Sequence, residues 1–324
     1  SGQRTMAEQS FGYEGLRDRY GVRTVFDEVI EIDPQAVTVK LASGTRLSAD
    51  RIVLAPGIAF DDTPGLSDPA RMPHAWQAGE QTRLLATQLA AMPDNGVVAL
   101  TVPKVPYRCP PGPYERACLI ADWLRAHKPR ARLIVLDANP DIVTEKENFS
   151  RAFTELHGKI IEYRPGVTIE SVDLSKMTLA FGDGSLHADV VNLIPPQRAP
   201  ALVLEAGLAT ATGGRFAPVD VLSYASTIAP KVHIIGDASA TTQPKAGHIA
   251  NQEAKICADA LSRLLAGKEP DPAPVTHSAC YSTITRSEAS WLAAVFQDDP
   301  KARAMTAVVD SLAASDGWSK KNFR

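Results

Sequence analysis

Apolar and polar positions alternate along two stretches of the chain, and each stretch contains three short segments rich in β-branched residues. The first stretch covers 21–57 (VRTVFDEVIEID, AVTVKLASG, RLSADRIVLAPG), and the second covers 166–196 (VTIESVDLS, MTLAFGDGS, LHADVVNLIPP). Such alternation predicts antiparallel strands, and the Asp-Pro and glycine-containing breaks predict turns. Each stretch is therefore expected to fold as a three-stranded meander that leads into a buried strand, at 51–55 in the first case.

The two stretches align with each other as diverged copies of one unit. Gly21 aligns with Gly166 and Asp50 with Asp189, at offsets of 145 and 139 residues. Only 20 residues precede the first copy, whereas the second follows a long α/β segment. The chain is therefore expected to lack about 50 residues that would complete the first unit, including its phosphate-binding glycine loop.

The second copy shows which elements precede a meander. An apolar strand is predicted at 96–102, a helix at 113–126 and a second strand at 131–136, ending before Asp137. This strand–helix–strand order is typical of a dinucleotide-binding unit. The sequence thus predicts an α/β fold with two Rossmann-like dinucleotide-binding units, each with an antiparallel β-meander, plus a C-terminal interface region and without the N-terminal βαβ.

The loop after the 96–102 strand is unlike a nicotinamide-nucleotide loop. It contains five prolines and a single glycine, at Pro103, Pro106, Pro110, Pro111, Pro113 and Gly112. Each proline removes an amide donor that a phosphate would need, so NAD(P) binding is not expected and Asp137 is interpreted as a relic of a ribose-binding acid. The stiff loop instead holds Cys109 at the ligand-binding edge of the sheet. The alternative is that Cys109 is an inert buried thiol.

Composition narrows the possible functions. The chain has 324 residues, 44% of them apolar, and a formal net charge of −3, which favours a globular protein of about two domains. It contains neither a basic block nor an apolar run of bilayer-spanning length, so neither nucleic acid nor a membrane span is expected. Four cysteines without a C-x-x-C pair allow three pairings, and seven scattered histidines predict no metal site.

Six segments carry a specific family resemblance. They are HAWQAGEQT (74–82), PYRCPPGPYERA (106–117), NLIPPQRA (192–199), HIIGDASA (233–240), PKAGHIAN (244–251) and ACYS (279–282). With them the chain resembles, over about 11–296, the flavoprotein subunit of flavocytochrome c sulfide dehydrogenase, and more distantly the sulfide:quinone oxidoreductases. The resemblance implies a two-dinucleotide-binding-domain flavoprotein that oxidises sulfide.

The resemblance also implies roles for individual residues. Cys109 and Cys280 would form a redox-active disulfide beside the flavin, with Glu115 close to it. Lys245 would lie near the isoalloxazine, although a solvated surface lysine is the alternative. The implied FAD-contacting residues are Ala55, Pro56, Gly57, Trp76, Pro195, Pro196, Gln197, Gly236, Asp237, Lys245 and Gly247. The other two cysteines, Cys118 and Cys257, have no such role and are interpreted as buried helical thiols.

The family layout divides the chain into four segments. The FAD-binding domain is predicted at 1–80 and 200–266, a second NAD-like domain with a degenerate loop at 81–199, and a C-terminal flavin-proximal and interface domain at 267–324. The resemblance places the covalent FAD attachment residue outside this chain and haem only in a c-type cytochrome partner, since no C-x-x-C-H is present. It implies a periplasmic location.

Two other functions remain open at this point. A sulfide:quinone or NAD(P)H-linked disulfide reductase would share the fold, although the degenerate loop argues against the nicotinamide version. A non-catalytic cytochrome-binding scaffold would share the fold without the chemistry.

Overall fold

The computed structural model describes residue 5 and residues 7–323 of the chain. The α-helices are α1 (Glu14–Tyr20), α2 (Glu80–Ala91), α3 (Gly112–His127), α4 (Lys146–Arg151), α5 (Ala201–Glu205), α6 (Gly247–Leu265) and α7 (Lys320–Phe323). The strands are β1 (Val29–Asp33), β2 (Thr38–Leu41), β3 (Arg46–Ser48), β4 (Ile52–Leu54), β5 (Ala59–Phe60), β6 (Val97–Val102), β7 (Arg132–Asp137), β8 (Ile161–Pro165), β9 (Ser171–Asp173), β10 (Thr178–Phe181), β11 (Gly184–His187), β12 (Val190–Asn192), β13 (Gln197–Arg198), β14 (Val219–Asp220), β15 (Ala225–Ser226), β16 (Val232–Ile234), β17 (Val275–Thr285), β18 (Glu288–Asp299), β19 (Ala304–Ala307) and β20 (Ala313–Ala314). Short turns of other helical types lie at Ala7–Gln9, Ala152–Leu156 and Gly236–Ala238.

A parallel sheet forms the centre of the molecule, with strand order β12-β6-β7-β8. β6 is apolar except for Thr101 and is buried from Val98 onward, as expected for a parallel strand covered on both faces. The buried residues of α3 include Ala117, Ile120 and Leu124, which join the same core cluster as β6 and β7. The predicted strand, helix and strand are confirmed, each within one residue at either end.

Both predicted meanders are present. β1-β2-β3 and β9-β10-β11 are three-stranded antiparallel sheets with short turns between neighbouring strands. The first strand starts later than predicted, at Val29 instead of Val22, because Val29 pairs with Leu41 at the end of β2 and the residues before it have no partner strand in the described part of the chain. The predicted α/β fold class with two meanders is confirmed.

A second parallel pair lies next to the first meander. β16 pairs with β4 in the four-stranded sheet β14-β15-β16-β4, so the ends of these two strands lie side by side. The strand predicted as buried at 51–55 is only partly so: Leu54 is 8% exposed, but Val53 is 43% exposed. The predicted domain boundaries remain a prediction.

A long hairpin closes the C-terminal part of the chain. β17 and β18 pair along most of their length, and β19 and β20 both add to β18. β17 packs against α3, which itself packs on β6 and β7 of the central sheet, and against α6. No helix in the described part of the chain combines the length and the apolar character that crossing a membrane takes.

The acid at the end of β7 is sealed inside the protein. Asp137 is fully buried, and its carboxylate accepts hydrogen bonds from Tyr114 Oη at 2.7 Å, Tyr163 Oη at 2.9 Å and both the main-chain N and the Nδ2 of Asn139 at 2.8 Å. These donors occupy the positions around the carboxylate that a ribose would need. The interpretation of Asp137 as a relic therefore agrees with its surroundings.

Replacing Asp137 with alanine is expected to lower the free energy of unfolding by about 3 kcal/mol, because two tyrosine hydroxyls and an amide lose a buried acceptor. Denaturant unfolding followed by circular dichroism would measure the loss. The control is Asp141→Ala, which removes a nearby carboxylate whose ion pair with Lys146 is half exposed. This variant should unfold at nearly the same denaturant concentration as the wild-type protein. Equal midpoints in both variants would contradict a structural role for Asp137.

Candidate functional site

Cys109 is held by the proline-rich loop between β6 and α3. Its φ angle is +59°, in the left-handed region that non-glycine residues rarely adopt. The main-chain N of Cys109 donates to Lys245 O at 2.7 Å, and its carbonyl accepts from Gly112 N at 2.8 Å. A Cβ at Gly112 would lie 3.0 Å from Cys109 Sγ and 2.8 Å from the Trp76 ring, so this glycine is needed for the sulfur and the ring to approach so closely.

Cys280 lies on β17 between two residues that are tied to the surroundings of Cys109. Ala279 N donates to His248 Nδ1 at 3.0 Å, next to the start of α6, and Thr283 N donates to Glu115 Oε1 at 3.0 Å. Both cysteines are free thiols in the structure. Burial raises the pKa of Cys109 to about 11, and negative charge on Glu115 and on Cys280 adds to this shift.

Glu115 stands in the first turn of α3, as the sequence predicts. Burial raises the pKa of its carboxyl group, although the hydrogen bonds from Thr283 and the charge of Arg116 oppose the shift. Its negative charge also raises the pKa of Cys280, for which burial is the main cause. The carboxyl group is therefore suited to exchange a proton close to both thiols.

Lys245 is buried, which rules out the solvated surface lysine. Its Nζ donates to Asp237 O at 2.8 Å and to Ser239 O at 2.6 Å, and lies 3.8 Å from the centre of the Phe216 ring. Burial lowers the pKa of the ammonium group to about 8, against the charges of Asp237 and Glu253. The ammonium group of Lys245 therefore lies against the main chain of the turn that follows β16.

The residues proposed to contact FAD converge from several elements. Ile235 N donates to Leu54 O at 3.0 Å, so the chain at Gly236 and Asp237 lies beside the one entering Ala55, Pro56 and Gly57. Gly236 has a φ of +71°, and a Cβ there would meet only Ala250 Cβ, at 3.5 Å. Burial raises the pKa of Asp237, with Arg108 and Lys245 opposing the shift.

One buried polar atom in this region lacks a partner. Gln197 follows Pro195 and Pro196, and its Oε1 accepts from Arg108 N at 2.8 Å, but its buried Nε2 has no hydrogen-bond partner among the described residues. A buried donor without an acceptor is costly, and the acceptor-rich edge of an isoalloxazine would satisfy it. Gly247 starts the 19-residue helix α6, whose N-terminal amides favour negative charge. These residues fit a flavin.

A cavity of about 590 Å³ runs from the cysteine loop along the groove between α2 and α3. Of the predicted site residues, Trp76, Cys109, Glu115 and Gly247 line it, whereas Lys245 lines a second cavity of about 340 Å³ together with Pro106 and Pro110 of the proline-rich loop. No group of three or more His, Cys, Asp or Glu side chains among residues 7–323 could hold a metal ion. Cys118 and Cys257 are buried on α3 and α6, as predicted.

The central part of the chain matches the model of a known family. Residues 82–195 match the family model of the central part of the sulfide dehydrogenase [flavocytochrome c] flavoprotein chain. The central region of the chain is similar to this family over about a third of its length. The matched range includes Cys109, Glu115 and Pro195, but neither Cys280 nor the turn at Gly236. The resemblance recognised in the sequence is confirmed.

Three solved structures share the fold. The sulfide:quinone oxidoreductase of the hyperthermophilic bacterium Aquifex aeolicus has a TM-score of 0.73 at 17% identity, with 94% of this chain and 72% of that chain covered. Putidaredoxin reductase in its covalent complex with putidaredoxin has a TM-score of 0.63 at 18% identity, covering 90% and 69%. A ferredoxin reductase from Rhodopseudomonas palustris has 0.59 at 19%, covering 88% and 68%. These likenesses show the fold.

Two residues of the site were given no role by the sequence. Arg108 lies within the matched 106–117 segment, and its Nε is 4.0 Å from Asp237 Oδ2 while its guanidinium donates to Trp76 O. Glu253 on α6 accepts from Gly236 N, and burial raises its pKa to about 7. The signal for Arg108 was its position beside Cys109. The helical spacing around Glu253 gives no such signal, since it predicts a helix but not which residues face the turn at Gly236.

His74 is expected to make stability depend on pH. Its Nδ1 accepts from Trp76 N at 2.9 Å, and burial, with the charges of Arg116 and Arg108, lowers its pKa to about 4. Between pH 6.5 and about 4 the unfolded chain binds a proton that the folded chain excludes, so this contribution is complete above pH 6.5 and is lost as the pH falls to 4.

The matched variant is His74→Asn, whose Oδ1 can accept from Trp76 N but does not titrate. Wild type is expected to lose about 2 kcal/mol more of its free energy of unfolding than the variant between pH 7 and pH 4. Denaturant unfolding at both pH values measures this. Parallel losses in the two proteins would show that His74 is not the titrating group.

Proposed function

We propose that this chain is an FAD-dependent sulfide dehydrogenase flavoprotein that oxidises sulfide through a disulfide between Cys109 and Cys280 and passes electrons to a c-type cytochrome subunit. One observation carries the proposal: Glu115, on the helix that follows Cys109, binds the main chain of Thr283, three residues after Cys280. The family of residues 82–195 and the fold of the whole chain support it.

The sulfur chemistry follows from these groups. Hydrosulfide attacks one sulfur of the Cys109–Cys280 disulfide, the S–S bond breaks, a persulfide forms on the attacked cysteine, and the other cysteine leaves as a thiolate. The attacking sulfur is oxidised and the disulfide is reduced by the same electron pair. Glu115 can take the proton that hydrosulfide loses and return it to a thiolate, because it lines the same cavity as Cys109 and binds the main chain three residues after Cys280.

The chain also offers the groups that a flavin needs. When bound, FAD supplies the conversion of electron pairs into single electrons, which a haem can accept. Gln197 Nε2, Gly236, Asp237 and the start of α6 would hold it, together with Ala55, Pro56, Gly57, Trp76, Pro195, Pro196 and Gly247. Lys245 would favour negative charge there. Haem would lie in the partner subunit, and a periplasmic location would let the disulfide persist.

An NAD(P)H-linked reductase is the less favoured alternative. The five prolines of the loop lack the amide donors that a pyrophosphate would need, and the tyrosine hydroxyls already bind the Asp137 carboxylate that a ribose would need. The fold that the chain shares with a sulfide:quinone oxidoreductase does not by itself specify the electron acceptor.

An anaerobic sulfide titration of the full-length, flavin-loaded protein tests the proposal. Loss of the oxidised flavin absorbance at near-stoichiometric sulfide, followed by reduction of an added c-type cytochrome, is the expected result. A flavin that persists under excess sulfide would overturn sulfide as the donor. A full-length protein that purifies without flavin would favour the non-catalytic scaffold.

A further inference from the structure

Glu145 is an unusual residue at the junction between the central sheet and helix α4. It immediately precedes α4, and its φ and ψ angles of +46° and +37° lie in the left-handed region. Glycine adopts this conformation freely, whereas a side chain there is unfavourable and persists only where other contacts hold it. The sequence contains no motif that singles out this position.

The carboxylate of Glu145 connects the central domain to the C-terminal hairpin. Its Oε1 accepts a hydrogen bond from Ser282 Oγ, and its Oε2 accepts one from Ser290 Oγ at 2.6 Å. Ser282 and Ser290 face each other directly across β17 and β18, and both are fully buried. One side chain therefore binds both strands of the hairpin at a single cross-strand pair.

This pair lies next to the cysteine that the hairpin carries. Cys280 precedes Ser282 by two residues on β17, so the two side chains point to the same face of the sheet. Burial is the main cause that raises the pKa of Cys280, and the negative charge of Glu145 adds to the shift. Glu145 thus reaches the hairpin two residues from Cys280 from the start of α4, whereas Glu115 reaches it at Thr283 from α3.

We propose that Glu145 is a positioning residue that holds the β17–β18 hairpin through Ser282 and Ser290 so that Cys280 faces Cys109. This inference rests on the proposed function, because it assumes that the two cysteines form a disulfide. Its consequence is a higher effective concentration of one thiol toward the other. A disulfide between correctly held cysteines is harder to reduce than one between cysteines on a loosened hairpin.

The equilibrium between this disulfide and glutathione measures the effect directly and needs no sulfide. The full-length protein is poised in glutathione redox buffers, quenched by alkylation and analysed by peptide mass. Glu145→Gly deletes the carboxylate and relaxes the backbone. It is expected to lower the equilibrium constant for forming the disulfide from glutathione disulfide about tenfold, which is about 30 mV for a two-electron couple. The double variant Ser282→Ala, Ser290→Ala should show the same fall with the glutamate intact.

Two further variants separate the possible causes. Glu145→Gln can accept a hydrogen bond from one serine and donate one to the other. Its disulfide–glutathione equilibrium constant should therefore stay within about twofold of the wild-type value. Removing the charge should also shift the pH profile of Cys280 alkylation to lower pH. Glu147→Ala, at an exposed position on the same short helix, is the control and should change neither quantity. Thermal unfolding confirms that each variant is folded.

The outcomes distinguish this inference from the proposed function. The positioning role would be overturned if the wild-type protein forms the disulfide and its equilibrium constant with glutathione is the same in Glu145→Gly and in the double serine variant. The proposed function would then remain intact. A tenfold fall in Glu145→Gln with no fall in the serine variants would also overturn it. A wild-type protein that forms no Cys109–Cys280 disulfide in any buffer would overturn both.

Discussion

Replacement of Cys109 by serine is expected to lower the rate of flavin reduction by sulfide to below about one thousandth of the wild-type value. The hydroxyl is close in size to the thiol, and the main-chain bonds to Lys245 and Gly112 do not involve the side chain, so the loop should keep its conformation. An oxygen at this position forms no disulfide, which leaves hydrosulfide without an electrophile. Anaerobic stopped-flow absorbance of the flavin-loaded protein measures the rate.

Thiol counting provides an independent readout of the same variant. The chain has four cysteines, so the oxidised wild-type protein should show two reactive thiols after denaturation, and Cys109→Ser should show three because Cys280 loses its partner. Cys257→Ala, which removes another buried thiol, is the matched control and should retain the wild-type rate. A Cys109→Ser protein that reacts within tenfold of wild type would exclude the disulfide route.

Replacement of Glu115 by glutamine is expected to slow the same reduction by about 10²–10³-fold while leaving the flavin affinity within twofold of wild type. Glutamine keeps an acceptor for Thr283 N, so the hairpin contact survives, but it cannot take up a proton. Burial raises the pKa of Glu115, so the wild-type rate should fall as the pH drops through that raised value, where the base becomes protonated. The variant should lack this acid limb.

Stopped-flow rates from pH 5 to pH 8, together with flavin binding, separate a chemical from a structural role. Glu80→Gln is the control, because Glu80 also stands in the first turn of a helix, α2, but is exposed. Equal losses of rate and of flavin affinity in Glu115→Gln, or an unchanged acid limb, would remove Glu115 from the proton transfer.

Local signals in the sequence determined much of the fold. β-Branched alternation predicted both meanders, and the apolar run at 96–102 with its following helix predicted the central βαβ unit, because these patterns report which faces must be buried. The same signals overextended the first strand to Val22, since alternation does not reveal where a partner strand ends. They also overstated the burial of Val53, which lies on a short strand.

The candidate site was only partly accessible from the sequence. Motifs identified Cys109, Glu115 and Cys280 because they carry the family resemblance, but the burial of Lys245 and the unpartnered Nε2 of Gln197 depend on segments far apart in the chain. The exposure of a side chain is set by what packs over it, and no local pattern encodes that.

What the sequence by itself determined about this protein is therefore the order of its elements, its two meanders and the proline-rich loop that carries Cys109. Only the tertiary structure decided that Asp137 is sealed by tyrosines, that Arg108 joins Gln197 to Asp237, and that Glu145 reaches Ser282 and Ser290 across 137 and 145 residues of chain. The physical reason is that secondary structure follows from neighbouring residues, whereas hydrogen bonds and pKa shifts between distant segments arise only when folding removes water from between them.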